Sequence, residues 1–556
     1  MKIRYTDNEA SANGSESTPL CMLRSKAFAL SLFLLCAALL SAGRGQSASL
    51  QLFTAFADDD QTTKEADKEM KKGRFEKAAR IYLDLIKKNP GDVRSRLGAS
   101  MAFFKIQNYE LGFDQAYEAL KLEPNNSRAH ALVGITLLRS GFLPQAMAEL
   151  SRAVTINPKE ALAYGGFAEI DYYENRAKES RSKSFYAYTL DPEEPDYLIT
   201  YARACSRLEM FGEAADAYDR FLQIAPRTDS ERRDRIRGLI QFYRELSGIR
   251  LHQITGPKSS AIQFWLGSDR RPYVRLKING KDANLVIDTG SGFTVIAAAS
   301  AKRLRVSSLA RGGNSQGVGG NGKFPIIYGL INTANIGDFR IESVPCFIRE
   351  FHNTDDRPRE EKADGFIGLS VLSNFLTEID YAAHSMTLTR SSEVNQTAAI
   401  GPDAPTVVKF RTTQNGLISI ETQLDGNHNI NAILDSGASS TVISTAAVTR
   451  LKMKEKIIKG QTVPVVGAAG ISPGVEMLYL SDCQVADLGQ NNMRALVMDL
   501  GAINETSGFE QSGILGGDFL RHFRLTIDFS RSQVAFEPQT AAITRRQSKT
   551  KLEKVN

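Results

Sequence analysis

The segment "NLVIDTGSGFTVI" at residues 284–296 occurs a second time as "NAILDSGASSTVI" at residues 431–443, placing Asp435 147 residues after Asp288. A second pair follows: "DGFIGLSVLSNFLTEIDY" recurs as "SGILGGDFLRHFRLTIDF", with Gly365 to Gly513 and Asp380 to Asp528 both offset by 148 residues. Between these marks each copy carries a glycine-rich stretch, "GVGGNGK" from Gly317 and "VGAAGISPG" from Val466. A lone Asp-Thr-Gly is ordinary turn chemistry. Three landmarks in one order at nearly one spacing require two copies of one fold in tandem. The texture around them is all-β: "YVRLKING", "ANLVIDTG", "KFPIIYGL" and "SMTLTR" alternate apolar and polar residues between Gly and Asn breaks.

These residues resemble the aspartic peptidases, both the single-chain pepsin-like kind and the dimeric retropepsins, including bacterial aspartyl proteases. The resemblance spans about residues 270–538. It rests on D-[TS]-G twice after an apolar strand, plus Phe366-Ile367-Gly368 and Ile514-Leu515-Gly516. It implies a bilobal, pseudo-two-fold, double retropepsin-like barrel with Asp288 and Asp435 as the catalytic pair. The chemistry is consistent with that. Two carboxylates about 3 Å apart cannot both ionise, so they share a proton and can act as base and acid together. No cofactor and no metal is needed. Thr289 and Ser436 are implied to hydrogen-bond across the axis, and Gly290 and Gly437 allow a tight turn and close backbone approach. Ser291, where the second half has Ala438, is expected to donate to Asp288 and make it the more readily ionised partner. Glycine-tipped hairpins suit a flap. Gly317, Val318, Gly319 and Gly320 in the first half, with Gly467 and Gly470 in the second, are the flap candidates. One in each half favours a fused retropepsin-like dimer. Asp380, Asp528 and Asp518 are read as structural.

Upstream lies a second period. Pro90, Pro124, Pro158, Pro192 and Pro226 step by 34 residues, as do Phe75, Tyr109, Leu143, Ala177 and Phe211. Helical spacing fills the intervals, as in "FEKAARIYLDLIKK". These residues resemble the tetratricopeptide repeat, which implies an all-α superhelix with a protein-binding groove. "DSERRDRIRGLIQFYRELSG" fits a polar-faced capping helix.

The expected organisation is a leader at 1–48, repeats and cap at 57–247, a linker at 248–269, β halves at 270–392 and 404–538, and a basic disordered tail at 539–556. The formal charge of +6 does not point to nucleic acid. Arg545, Arg546, Lys549, Lys551 and Lys554 against Glu553 put +4 of it in the last sixteen residues. Residues 27–43 carry no charge, follow Arg24 and Lys26, and precede small residues, the order of a secretory signal. Met22 opens a more typical signal than Met1. The expectation is export to the periplasm or outside, with retention as an inner-membrane anchor the other outcome. Cys205, Cys346 and Cys483 outside the leader give no disulfide framework and no metal-ligand spacing. Together these features lead to an exported aspartic endopeptidase acting on polypeptide, with repeats that recruit protein substrates or partners. The alternative is a repeat scaffold whose β module binds peptide without cutting it; self-processing, with the repeats as cargo or inhibitor, is a third.

Overall fold

The structure is a computed structural model that describes residues 63–320, 322–351, 362–391, 405–540 and 543–545. The leader, the 27–43 segment, Met22 and the tail beyond Arg545 lie outside the described residues; within the tail expected to be disordered, Ile543–Arg545 is instead a strand paired antiparallel with Leu488–Met498, joined to it by backbone hydrogen bonding. Among the described residues no helix is long and apolar enough to cross a membrane.

Helical residues 63–71 and Phe75–Lys88 form the first pair of the array. Val93–Lys105 with Tyr109–Leu122, Ser127–Arg139 with Leu143–Ile156, Ala161–Tyr173 with Ala177–Leu190, and Asp196–Arg207 with Phe211–Ile224 follow. The 34-residue mark falls on the first residue of each second helix, and each periodic proline lies two residues past its end. Within each pair the tight turn needs one left-handed residue. Gly73, Gln107, Gly141, Asn175 and Glu209 supply it, with φ between 59° and 84°. Amphipathic spacing then decides what is buried: Ala78, Ala79, Tyr82 and Leu85 form the inner stripe of Phe75–Lys88. Asp92, Asn108 and Asn126 cap the next first-turn amides with their side chains.

The superhelix closes tightly on itself. Lys105 of the second pair reaches Glu194 and Asp196 at the fifth (2.6 and 2.7 Å), and Arg232 meets Asp196 from the other side at 2.7 Å. Burial opposes the Asp196 charge, but Arg232 and Lys105 outweigh it and hold the carboxyl well below the usual range. The groove is therefore already bridged by the protein's own ion pairs.

The β region shows the duplication in its registers. In the first half Lys281–Ile287 pairs in parallel with Gly365–Ile367, which pairs antiparallel with Thr294–Ala297. In the second half His428–Leu434, Gly513–Leu515 and Val442–Ser444 repeat that arrangement. Between the halves, Phe375–Asp380 pairs antiparallel with Phe523–Asp528, so one sheet crosses the pseudo-two-fold axis. The stretch 248–269, expected as a linker, is instead part of the β region. Ser259–Leu266 pairs with both Ser385–Arg390 and Pro272–Ile278, and Gln253–Thr255 pairs with Phe339–Arg349. Burial alternates along its "SSAIQFWL" strand.

The array rests on both halves. Helix Ser230–Leu246 lies against the first-half hairpin of Ser307–Gln316 and Lys323–Ile336. A Cβ on Gly238 would overlap the Gly312 backbone, so helix and hairpin touch main chain to main chain. Phe242 stacks on Tyr328 at 4.6 Å, and Glu231 pairs with Lys323 at 2.8 Å. This helix is thus more than a polar cap: both its faces are used. Farther along, Arg139 and Tyr173 donate to the Gly508 carbonyl (2.6 and 3.2 Å), and Asn175 donates to Ser532 at 2.8 Å. A cavity of about 910 Å³ lies between array and β region, lined by Tyr109, Tyr172 and Arg207 on one side and Phe293, Asn415 and Glu505 on the other.

Candidate active site

Asp288 and Asp435 each follow the last residue of a buried apolar strand. Each backbone amide donates to the apolar-apolar-Gly element of its own half: Asp288 to Ile367 O and Asp435 to Leu515 O, both at 3.0 Å. The neighbouring residues lock the two loops together. The Thr289 amide donates to Ser436 Oγ (3.1 Å) and the Ser436 amide to Thr289 Oγ1 (2.9 Å). Each hydroxyl then donates to the strand end of the opposite half, Thr289 to Leu434 O and Ser436 to Ile287 O, both at 2.8 Å. Thr289 and Ser436 are buried, so none of these groups can turn to water instead.

The glycines complete the crossing. A Cβ on Gly437 would come within 2.6 Å of the Asp288 carboxylate, and one on Gly290 would overlap the Asp435 carboxylate. Each glycine therefore seats the carboxylate of the other half, which brings both acids to one place.

The pair is electrostatically unequal. Burial, then the charge of Asp435, pushes the Asp288 carboxyl well above the usual range. Burial also raises Asp435, but hydrogen bonding with Asp288 and the amides of Ala438 and Gly437 work against it. Those amides donate to Asp435 Oδ1 at 2.9 and 2.8 Å, whereas Asp288 Oδ1 is buried with no hydrogen bond. The negative charge of the pair accordingly rests on Asp435. This reverses the expectation built on Ser291. Its hydroxyl donates to the Phe293 carbonyl at 2.8 Å, within its own turn, and does not reach Asp288.

Above the carboxylates two hairpin tips meet. Gly317, Val318, Gly319 and Gly320 form the first tip, and Gly467 and Gly470 flank the turn of the second, between Ile457–Gly467 and Gly470–Val485. The Ala469 amide donates to Val318 O at 3.0 Å, joining the tips. Beneath them is a cavity of about 650 Å³ that contains both carboxylates and is walled by Phe293, Phe324, Phe347 and Phe366. That volume lies within the range of ligand pockets. Arg271 and Arg349 also line it, and neither stood out in the sequence. The one signal was a basic residue set beside a strand among aromatics, in "CFIREF".

The other repeated acids are tied into structure. Asp380 accepts from Arg524, Gln539 and the Ala383 amide, each at 2.8 Å. Asp528 bonds Ser530 and Arg531 in its own turn. Asp518 accepts from Thr441 through amide and hydroxyl, and Ser370 takes the matching place beside Thr294 in the first half. Cys205, Cys346 and Cys483 are buried and free.

Fold and site together define an aspartic-protease-like, two-lobed β unit joined to a tetratricopeptide array. Comparison with known families agrees: residues 274–371 and 420–519 match the Aspartyl protease family in two copies, and residues 63–121 match the Tetratricopeptide repeat family. Among solved structures, a thermophilic TPR protein of Thermus thermophilus is similar at 17% identity, covering 33% of this chain and 98% of that chain, with a TM-score of 0.29. YrrB, described as a TPR protein with an unusual peptide-binding site, is similar at 19% identity, covering 32% and 93%, with a TM-score of 0.21. No curated protein matches this sequence.

Proposed function

We propose that this protein is an exported aspartic endopeptidase that hydrolyses peptide bonds with water activated between Asp288 and Asp435. The observation that carries the reading is the reciprocal locking of the two loops by Thr289 and Ser436, which holds both carboxylates under one cavity. In this reading Asp435, steadied by two amides, takes a proton from water. Asp288, which keeps the shared proton, gives one to the scissile carbonyl oxygen. As the tetrahedral species collapses, a proton passes to the leaving amine and the C–N bond breaks. The paired hairpin tips close over the peptide and exclude solvent. The array recruits protein substrates or partners. Its groove is bridged by Lys105, Asp196 and Arg232 and faces the β region, so a partner binds there only by displacing those contacts or by using another face. The charge-free 27–43 segment after Arg24 and Lys26 supports export.

The test is incubation of the full-length protein with an unfolded protein across acidic to neutral pH. Cleavage should fall about 10²–10⁴-fold in both Asp288→Asn and Asp435→Asn, the scale of one lost acid–base group. It should also be blocked by a statine-type transition-state mimic. Cleavage that survives either substitution, or none by the wild type at any pH, would sink the reading.

A further inference from the structure

Two arginines, Arg271 and Arg349, share the cavity with the two acids. Arg349 ends the strand Phe339–Arg349, and its guanidinium lies 4.9 Å from the Phe324 ring, 4.9 Å from Phe351 and 5.5 Å from Phe366. Its Nη1 donates to the Ala468 carbonyl at the second hairpin tip (2.8 Å), with a long contact to Glu350 O at 3.4 Å. Arg271 makes the contrast. It lies 5.8 Å from the same Phe366 ring but is neutralised by Asp269 at 2.7 Å. Among the described residues Arg349 has no such ion pair, and its Nε and Nη2 make no hydrogen bond.

Among the described residues this guanidinium gives up part of its water with no ion-pair partner, which is costly in an aromatic slot. Burial pushes Arg349 down to about 10, with Asp288 pulling the other way, so it stays charged at neutral pH. Two uses would repay that cost. One is to act on the charge that the acid pair shares. The other is to receive a ligand anion: unused donors in a planar fork between rings match a carboxylate edge-on.

We infer that Arg349 is a specificity-determining residue that binds a carboxylate of the polypeptide in the cavity, either an Asp or Glu side chain or the peptide's own terminal carboxylate. The inference rests on the proposed peptide-binding cleft, not on cleavage itself. The hydrogen bond to Ala468 adds a consequence: the same side chain touches the closed hairpin, so an anion seated on it helps to hold that tip down.

The experiment pairs short peptides that place Glu or Gln at each position in turn, and free or amidated C-termini. Their kcat/KM is measured with the full-length wild type, and their Kd with full-length Asp435→Asn. Glu at one position, or the free C-terminus, should improve both at least about tenfold over the uncharged form. Which of the two does so identifies the source of the carboxylate. Arg349→Gln should bring the ratio to within about twofold, Arg349→Lys should keep part of it, and Arg349→Glu should turn the preference toward Lys at that position. Thermal unfolding of each variant checks folding, and the Lys and Glu variants still read the preference if the Gln variant misfolds. Two results would overturn the inference: no acidic preference in either measurement, or an Arg349→Gln effect equal on all peptides that only moves the pH profile. Acid-selective binding without cleavage would leave it standing while removing the hydrolase reading. Cleavage without acidic preference would do the reverse.

Discussion

At the residue scale the site is built by exchange. Each hydroxyl and each glycine of one half serves the other half, so neither acid is positioned by its own loop alone. Removing one hydroxyl would leave buried amides and carbonyls unpaired, each at a cost of about 1–3 kcal/mol. The carboxylates themselves weaken the fold. The Asp288 carboxyl is raised in the folded state by burial and by Asp435, so the native protein holds a proton that the unfolded chain releases near pH 4. Its contribution is complete below that unfolded value and is lost as pH rises toward the folded one. Asp288→Asn should therefore be more stable than wild type at pH 7, by about 1–4 °C in Tm, and the gap should close on acidification toward pH 4. Thermal unfolding of both proteins across that range checks it. A wild type that gains stability relative to Asp288→Asn as pH rises would contradict this account of the pair.

At the element scale the informative contact is Gly238 on Gly312, where helix Ser230–Leu246 and the first hairpin meet without side chains between them. Gly238→Leu leaves the helix sequence favourable but drives bulk into the hairpin backbone. It should cost about 1–3 kcal/mol and make the hairpin more open to a probe protease than in wild type. Equal protease resistance in the two proteins would show that the contact does not restrain the hairpin. Much at this scale was legible beforehand. The periodic Phe75, Tyr109, Leu143, Ala177 and Phe211 mark helix starts because a 34-residue unit must turn at a fixed phase. The dyad loops stood out because they occur twice. Ser259–Leu266 did not, since a short run of alternating residues between Gly and Pro resembles a linker until its partner strands, Ser385–Arg390 and Pro272–Ile278, are known. The true partner of Ser291 was equally hidden. A hydroxyl after a turn has several acceptors within reach, and only coordinates show that Phe293 O is the one it meets. For Arg349 the sequence offered only its local aromatic setting, because its neighbours Phe324, Phe366 and Ala468 come from three separate segments.

At the scale of the whole molecule the array and the β region share a core. Ala310, Ile326 and Tyr328 of the first hairpin pack in one cluster with Phe211, Tyr218, Ile240, Phe242 and Leu246 of the array. A fragment beginning at residue 250 would expose that apolar face. It should be less stable than the full-length protein and prone to associate, read by thermal unfolding and by light scattering of the two proteins at equal concentration. A fragment that stays monomeric with an unchanged Tm would mean that the shared cluster contributes little.

Among the described residues the capping helix packs extensively on the first-half hairpin and makes no comparable packing with its counterpart in the other half. A cleft with true two-fold symmetry has no sense of direction: a peptide entering head first and one entering tail first meet the same walls. Here one wall is braced by the capping helix, and the other is tied to the first half only at its tip, through Val318 and Arg349. A symmetric blueprint has thereby acquired a front and a back, and a peptide in the proposed cleft would meet different walls head first and tail first.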